Sequence, residues 1–323
     1  MLKLDHVSKV YTTGTFGGKE LHAVSDVSFD VRDGEVVSLI GESGSGKTTI
    51  GRMILGLVSI SSGAITLDGV DISTLQGSEL KEYYRKVQGV FQDPYSSYNP
   101  IFKADRVFRI IRDEFFPQME GREWNSKVES TLQAVGLNPP DVLNKFAHQL
   151  SGGQLQRFLI ARALLLDIQF LVADEIISML DASTRIDVLE LLADLKPRGL
   201  SILFITHDLS LGYYISERAV ILYRGRVVEM GATEKVFGNP LHPYTRMLMA
   251  CVPRVDRKWE EVEVKLGAMQ AELSRGCVYF DRCPVAHEED CASHRPTLIE
   301  ADSDHFVACG RYSTERPPLF KAE

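Results

Sequence analysis

Hydrophobic residues along this chain fall into two rhythms: short apolar runs bounded by turn signals, and longer stretches with apolar residues every three or four positions. Residues 2–10, 24–31 and 36–40 read as strands, with Asp33-Gly34 as the turn before the third. Residues 12–20 hold three glycines and few aliphatics, which predicts a surface loop. A helical pattern follows at 49–57, and 64–72 reads as a hairpin turning at Asp68-Gly69. Residues 87–91 form another strand, ending at Gln92.

From 93 to 150 the rhythm is helical, broken by Pro94, Pro100, Pro117, Pro139 and Pro140, which predicts an inserted helical subdomain. A helix opens at Ser151 and runs to about Leu166, and the apolar strand 168–173 ends in Asp174-Glu175. Residues 183–196 form an amphipathic helix closed by Pro197 and Gly199. Strand 200–206 delivers His207, and a hairpin over 219–230 turns at Arg224-Gly225. Such alternation predicts an α/β fold with a largely parallel sheet and helices on its faces. Ligands collect at the carboxyl ends of such strands, where Gly41, Gln92, Asp174 and His207 each stand.

The stretch Gly41-Glu42-Ser43-Gly44-Ser45-Gly46-Lys47-Thr48 fits the P-loop pattern, in the strand–loop–helix setting that the pattern needs. Its glycines let backbone N–H groups turn inward, and the following helix start adds a positive dipole end. Lys47 supplies a point charge for the outer phosphates and Thr48 a hydroxyl for magnesium. The expected nucleotide contacts are Gly41, Ser43, Gly44, Ser45, Gly46, Lys47, Thr48 and Thr49. Neighbouring residues at a strand end point in opposite directions. Asp174 is therefore expected to face Mg2+, and Glu175 to serve as general base or to position water. His207 is placed to reach the γ-phosphate, and Gln92 to touch the metal or water and relay to a partner. Tyr11 either stacks on the adenine face or is an ordinary strand aromatic.

Ser151-Gly152-Gly153-Gln154 opens a helix, so its N–H groups form a second anion site. The helical insert separates it from the chain's own P-loop. The economical solution is a dimer in which this motif caps a nucleotide on the opposite subunit.

Composition narrows the class. Of 323 residues, 44% are hydrophobic and 25% charged, as in soluble globular proteins. A net charge of −8 argues against nucleic acid as the main partner. No apolar run is long enough to span a bilayer, and residues 1–6 lack the apolar core of a signal peptide. The expectation is a cytosolic protein whose membrane role comes through a partner. Of five cysteines, Cys251 stands apart, while Cys277, Cys283, Cys291 and Cys309 cluster near the C-terminus. In a reducing cytosol clustered thiols point to metal. Their spacing lacks the tight pair usual for zinc, although His287, His294 and His305 are nearby substitutes. Irregularly spaced thiolates suit a [4Fe–4S] cluster, with zinc or unligated thiols as alternatives.

Taken together, GESGSGKT at 41–48, Gln92 in FQDPYSSYNP, LSGGQLQR at 150–157, LVADE at 171–175, SMLD at 178–181 and His207 resemble an ATP-binding cassette (ABC) transporter ATPase subunit. The segment 239–245 and the cysteine-bearing stretch 276–309 resemble the tail of the oligopeptide/dipeptide importer branch. TTIGRMILGL and the loop after Tyr11 resemble one of the two non-identical ATPase types there. The resemblance implies a P-loop ABC core over 1–92 and 151–238, a helical subdomain over 93–150, and a small cysteine-containing C-terminal domain over 239–323. It implies ATP and Mg2+ as ligands, Lys47, Glu175 and His207 as catalytic residues, Asp181 as a further nucleotide-site residue, and a [4Fe–4S] cluster in the tail. It further implies a heterodimeric ATPase pair under two membrane permeases on the cytoplasmic face, fed by an extracytoplasmic binding protein. Oligosaccharide or nickel import, a soluble ABC ATPase and a regulatory subunit with a dead site are the competing readings. Two departures stand out: Ile176 follows Glu175 where Pro is usual, and 268–274 replaces the Pro-rich run that commonly precedes the first tail cysteine.

Overall fold

Among the described residues, twelve strands account for most of the apolar runs: β1 (Leu2–Thr13), β2 (Lys19–Val31), β3 (Val36–Ile40), β4 (Ser62–Leu67), β5 (Val70–Asp71), β6 (Val87–Val90), β7 (Phe170–Asp174), β8 (Ser201–Thr206), β9 (Arg218–Tyr223), β10 (Arg226–Ala232), β11 (Ile299–Asp302) and β12 (His305–Val307). The computed structural model describes residues 1–13, 18–252 and 276–312. Helices are α1 (Lys47–Ile54), α2 (Gly77–Lys86), α3 (Arg106–Phe115), α4 (Gly121–Ala134), α5 (Pro139–Val142), α6 (Gly152–Leu164), α7 (Ala182–Leu195), α8 (Leu209–Ile215), α9 (Thr233–Gly238), α10 (Pro243–Ala250) and α11 (Glu288–Ser293).

The larger sheet runs β11-β12-β10-β9-β3-β8-β7-β6. Its strands from β9 to β6 pair in parallel, and β10 to β12 pair antiparallel. Strands β3, β7, β8 and β9 are buried along their whole length. Continuous apolar runs such as VVSLI and SILFIT are what a parallel strand covered on both faces requires.

A second, antiparallel sheet runs β2-β1-β4-β5. It presents Leu2, Leu4, Val27 and Phe29 to a core shared with Ile50, Met53 and Ile54 of α1 and with Val37 and Leu39 of β3. The helix after the P-loop is thus clamped between two sheets. The opposite face packs α3, α4, α6 and α7, with Phe108 stacked on Phe158 at 4.6 Å.

Two sequence expectations change. Residues 12–20 are not wholly loop: Thr12 pairs with Glu20 and Thr13 with Lys19. A ladder needs only backbone groups, so it continues past the last apolar pair. Residues 14–17 lie outside the described residues, as does the 268–274 departure.

The second change is at the C-terminus, where no strand was expected. β12 pairs with β10, through Glu229–Val307 and Gly231–His305, so the tail extends the main sheet. The fully buried Glu229 carboxylate accepts from Leu241 N and His242 N, each at 2.8 Å, and meets His305 Nε2 at 2.7 Å. One buried acid thereby stitches together β10, the 241–242 corner and the returning strand. A buried carboxylate is tolerable when its lone pairs are filled in this way.

Candidate functional site

The P-loop leaves β3 at Gly41 and enters α1 at Lys47. Gly44 and Gly46 have φ of +78° and +107°, left-handed values that favour glycine. At Gly46 a Cβ would also lie 2.5 Å from Ala23 O, so β2 presses on the loop there. Gly225 N donates to Ser45 O at 2.8 Å, which pins the loop to the β9–β10 turn. Lys47 is buried, and its Nζ donates to Gly41 O (2.7 Å) and Glu42 O (2.9 Å). Burial lowers its pKa, opposed by the charges of Glu175, Asp174 and Glu42. Ser45 Oγ is buried without a hydrogen-bond partner. A buried ammonium and an orphan hydroxyl at a helix start fit a phosphate group.

Strands β7 and β8 bring the remaining chemistry to the same end of the sheet. Thr48 Oγ1 donates to Asp174 Oδ1 at 3.3 Å, joining the loop to the last residue of β7. Burial raises the pKa of Asp174, while the Thr48 hydroxyl lowers it. Glu175 follows with φ +50°, a strained value for a non-glycine residue, and its N–H donates to Ile205 O. Its carboxylate lies 3.3 Å from His207 Nδ1, just past β8. Lys47, Thr48, Asp174, Glu175 and His207 therefore converge at one end of the sheet. Gln92 is exposed beyond β6, and Thr49 is half-buried on α1. Tyr11 lies in β1, opposite Leu21, with Lys9 Nζ 5.0 Å from its ring centre.

The second anion motif is built differently. Ser151 caps α6 reciprocally: its Oγ accepts from Gln154 N at 3.2 Å, and Gln154 Oε1 accepts from Ser151 N at 3.0 Å. At Gly153 a Cβ would lie 2.5 Å from Thr184 Cγ2, so α6 packs tightly on the start of α7. Asp181 caps that start through Thr184 N (3.0 Å) and the hydroxyls of Ser183 (2.7 Å) and Thr184 (2.9 Å). Those bonds, Ser183 first, hold its carboxyl well below the usual range. Among the described residues no hydrogen bond joins 151–154 to 41–48.

Comparisons with known proteins agree with this geometry. Residues 24–178 match the ABC transporter family, and 228–291 match the oligopeptide/dipeptide transporter C-terminal region. A Brucella ovis relative named for peptide import ATP binding is 41% identical, covering 96% of this chain and 98% of its own. The oligopeptide transport ATP-binding protein AppF of Bacillus subtilis is 39% identical, covering 97% and 98%. The chain belongs to the ATP-binding proteins of the oligopeptide/dipeptide ABC transporter family. A solved ABC cassette, MJ0796, dimeric in a post-hydrolysis state with ADP and Pi, matches with a TM-score of 0.65 at 30% identity, covering 72% of this chain and 99% of that one. ABC ATPases of this family bind and hydrolyse ATP with Mg2+.

Within this ABC cassette the departure at Ile176 is a packing feature. Ile176, Ile177 and Leu180 are buried in the core that includes α6 and α7, leaving Met179 exposed. The tail cysteines Cys277, Cys283, Cys291 and Cys309 line one cavity of about 280 Å³ with His287 and His294. Burial pushes the Cys277 thiol up to about 11 and raises Cys283 and Cys309, and the neighbouring cysteines add to each shift. His305 does not join them, since it is committed to Glu229. Among the described residues no three Cys, His, Asp or Glu side chains converge closely enough to hold a single metal ion.

Sequence reading missed what lies behind the P-loop. Glu42 N donates to Tyr244 Oη at 3.0 Å, and the Glu42 carboxylate is held by Arg282, 240 positions away. Glu42 occupies a variable P-loop position, so no motif marks it.

Proposed function

We propose that this chain works as one of two paired cassettes whose ATP cycle drives peptide import through membrane permeases. The observation that carries the proposal is the convergence of Lys47, Thr48, Asp174, Glu175 and His207 at the carboxyl ends of β3, β7 and β8. Lys47 leaves its loop carbonyls for the outer phosphates, and the N–H groups of Gly41 to Thr49 cradle them. Thr48, Asp174 and Gln92 would hold Mg2+, which would supply charge neutralisation at the phosphates. Glu175 takes the proton of the attacking water, and His207, 3.3 Å away, orients that carboxylate and faces the γ-phosphate. Tyr11 is assigned to the adenine face.

In this reading Ser151 to Gln154, together with Asp181, cap the nucleotide of a companion cassette. The separate placement of α6 and the dimeric MJ0796 cassette support it. A heterodimer beneath two permeases, fed by an extracytoplasmic binding protein, follows from the oligopeptide family. Residues 93–150 are the helical subdomain that passes motion to the permeases, between the core segments 1–92 and 151–238. Among the described residues no helix is long and apolar enough to cross a membrane, which suits a peripheral subunit at the cytoplasmic face.

The cavity lined by the tail cysteines of the segment 239–323 is assigned a [4Fe–4S] cluster, as the resemblance implies. The support for this reading is that all four thiols line one cavity. Cys277, Cys283, Cys291 and Cys309 would hold it, and it would staple a loop-rich segment.

Glu175→Gln tests the catalytic assignment. It should preserve MgATP binding, lower hydrolysis on the order of a hundredfold or more, and trap a closed pair with the companion. Wild-type turnover by that variant overturns it. Iron and sulfide analysis of anaerobically purified protein tests the cluster, and their absence overturns that assignment.

A further inference from the structure

Glu42, the second residue of the P-loop, has all of its polar groups engaged. Its N–H donates to Tyr244 Oη at 3.0 Å, and its carbonyl accepts from Lys47 Nζ at 2.9 Å. Its carboxylate accepts two bonds from the Arg282 guanidinium, at 2.8 and 3.1 Å. Two of these three holds come from far along the chain. Tyr244 lies in α10, and Arg282 ends the short turn Phe280–Arg282, between Cys277 and Cys283.

The same turn reaches the loop by a second route. Asp281 pairs with Arg224 at 3.4 Å, and the next residue, Gly225, donates to Ser45 O. Adjacent side chains of one turn thus close on the P-loop from two sides. The Arg282 pair is no loose surface contact: the Arg282 side chain is 15% exposed and grips the carboxylate in bidentate fashion. Its guanidinium lies 5.9 and 6.0 Å from the rings of Tyr223 and Tyr279. Tyr244 is fully buried, with ring centres 4.5 Å from Tyr223 and 5.4 Å from Tyr279.

A staple for the tail would explain an ion pair, but the tail is already held by β12 and by the Glu229–His305 contact. Convergence on Glu42 has a more particular consequence, because its carbonyl is one of the two that receive Lys47. We propose that Arg282 and Tyr244 are positioning residues of the nucleotide site. They fix Glu42, and through it the resting place of Lys47, so that the C-terminal segment sets how tightly the P-loop takes a triphosphate.

The test is calorimetric titration of the full chain with the Mg2+ complex of a non-hydrolysable ATP analogue. Arg282→Gln and Glu42→Gln should each weaken binding about fivefold, the scale of a partly exposed charge pair. The double variant should bind no more weakly than either single one, because both remove the same bridge. Arg282→Lys should restore part of the loss, and Tyr244→Phe should show a smaller one. Additive losses in the double variant overturn the proposal. So does an Arg282→Gln protein that melts earlier yet binds nucleotide as the wild type does.

Discussion

At the P-loop end of the sheet, Lys47 is buried and doubly bonded, Ser45 and Asp174 are buried, and the loop is braced by Ala23, Gly225 and Glu42's distant partners. At the start of α6, Ser151 is exposed, its cap is local, and Gly152 has open space around it. The first region is preorganised by elements from the whole chain, as a site that must stabilise charge requires. The second is a helix N-terminus presented outward, as the proposed completion by another subunit needs. Sequence motifs mark both equally. Only the packing distinguishes the braced loop from the open helix start.

The comparison breaks most severely if the braced region is not where binding resides. Lys47→Ala should lower MgATP affinity on the order of a hundredfold, since a buried charge contact to phosphate is lost; equilibrium binding with a fluorescent ATP analogue measures it. Affinity within a few-fold of wild type would remove Lys47 from the site. Gly46→Ala should cost about 1–3 kcal/mol of stability, from a left-handed φ and a Cβ facing Ala23 O, seen as a lowered urea midpoint. An unchanged midpoint would mean that the loop is not braced there.

A pH-dependent effect of similar size sharpens the same contrast. His242 accepts a hydrogen bond from Tyr244 N at its Nδ1, and burial pushes its pKa from 6.5 down to about 3. The native state thus holds this imidazole neutral, while the unfolded chain takes up a proton below pH 6.5. Its contribution to stability is complete above pH 6.5 and declines as pH falls toward 3, with a slope of about 1.4 kcal/mol per pH unit. In His242→Gln that component of the slope should vanish from denaturant titrations between pH 6 and pH 4. A slope equal to wild type would show that another group carries it.

How much of this was legible beforehand depended on the range of the interactions. The strand–loop–helix around Lys47, the hairpin at Arg224-Gly225 and the helix starting at Ser151 follow from local period and turn chemistry, and each stands where residue pattern put it. The convergence of Asp174, Glu175 and His207 was readable because parallel strands deliver their ends to one edge. The small antiparallel sheet, the return of β12 onto β10 and the Arg282–Glu42 bridge were not. Each depends on pairing over long separations, and His305 or Arg282 carries no local mark of its partner. Polar Thr12 and Thr13 misled for the reverse reason, since a ladder needs only backbone.

The central claim is that residues 151–154 serve a nucleotide bound by another subunit. Gly152→Asp places a carboxylate where a Cβ meets nothing within 4 Å, so the fold accepts it while the outward anion site is spoiled. MgATP affinity of this chain alone should match wild type, and ATP-driven pairing with the companion cassette, followed by sedimentation, should be lost. If the isolated chain's own affinity collapses instead, the motif faces its own P-loop and the two-subunit account is wrong.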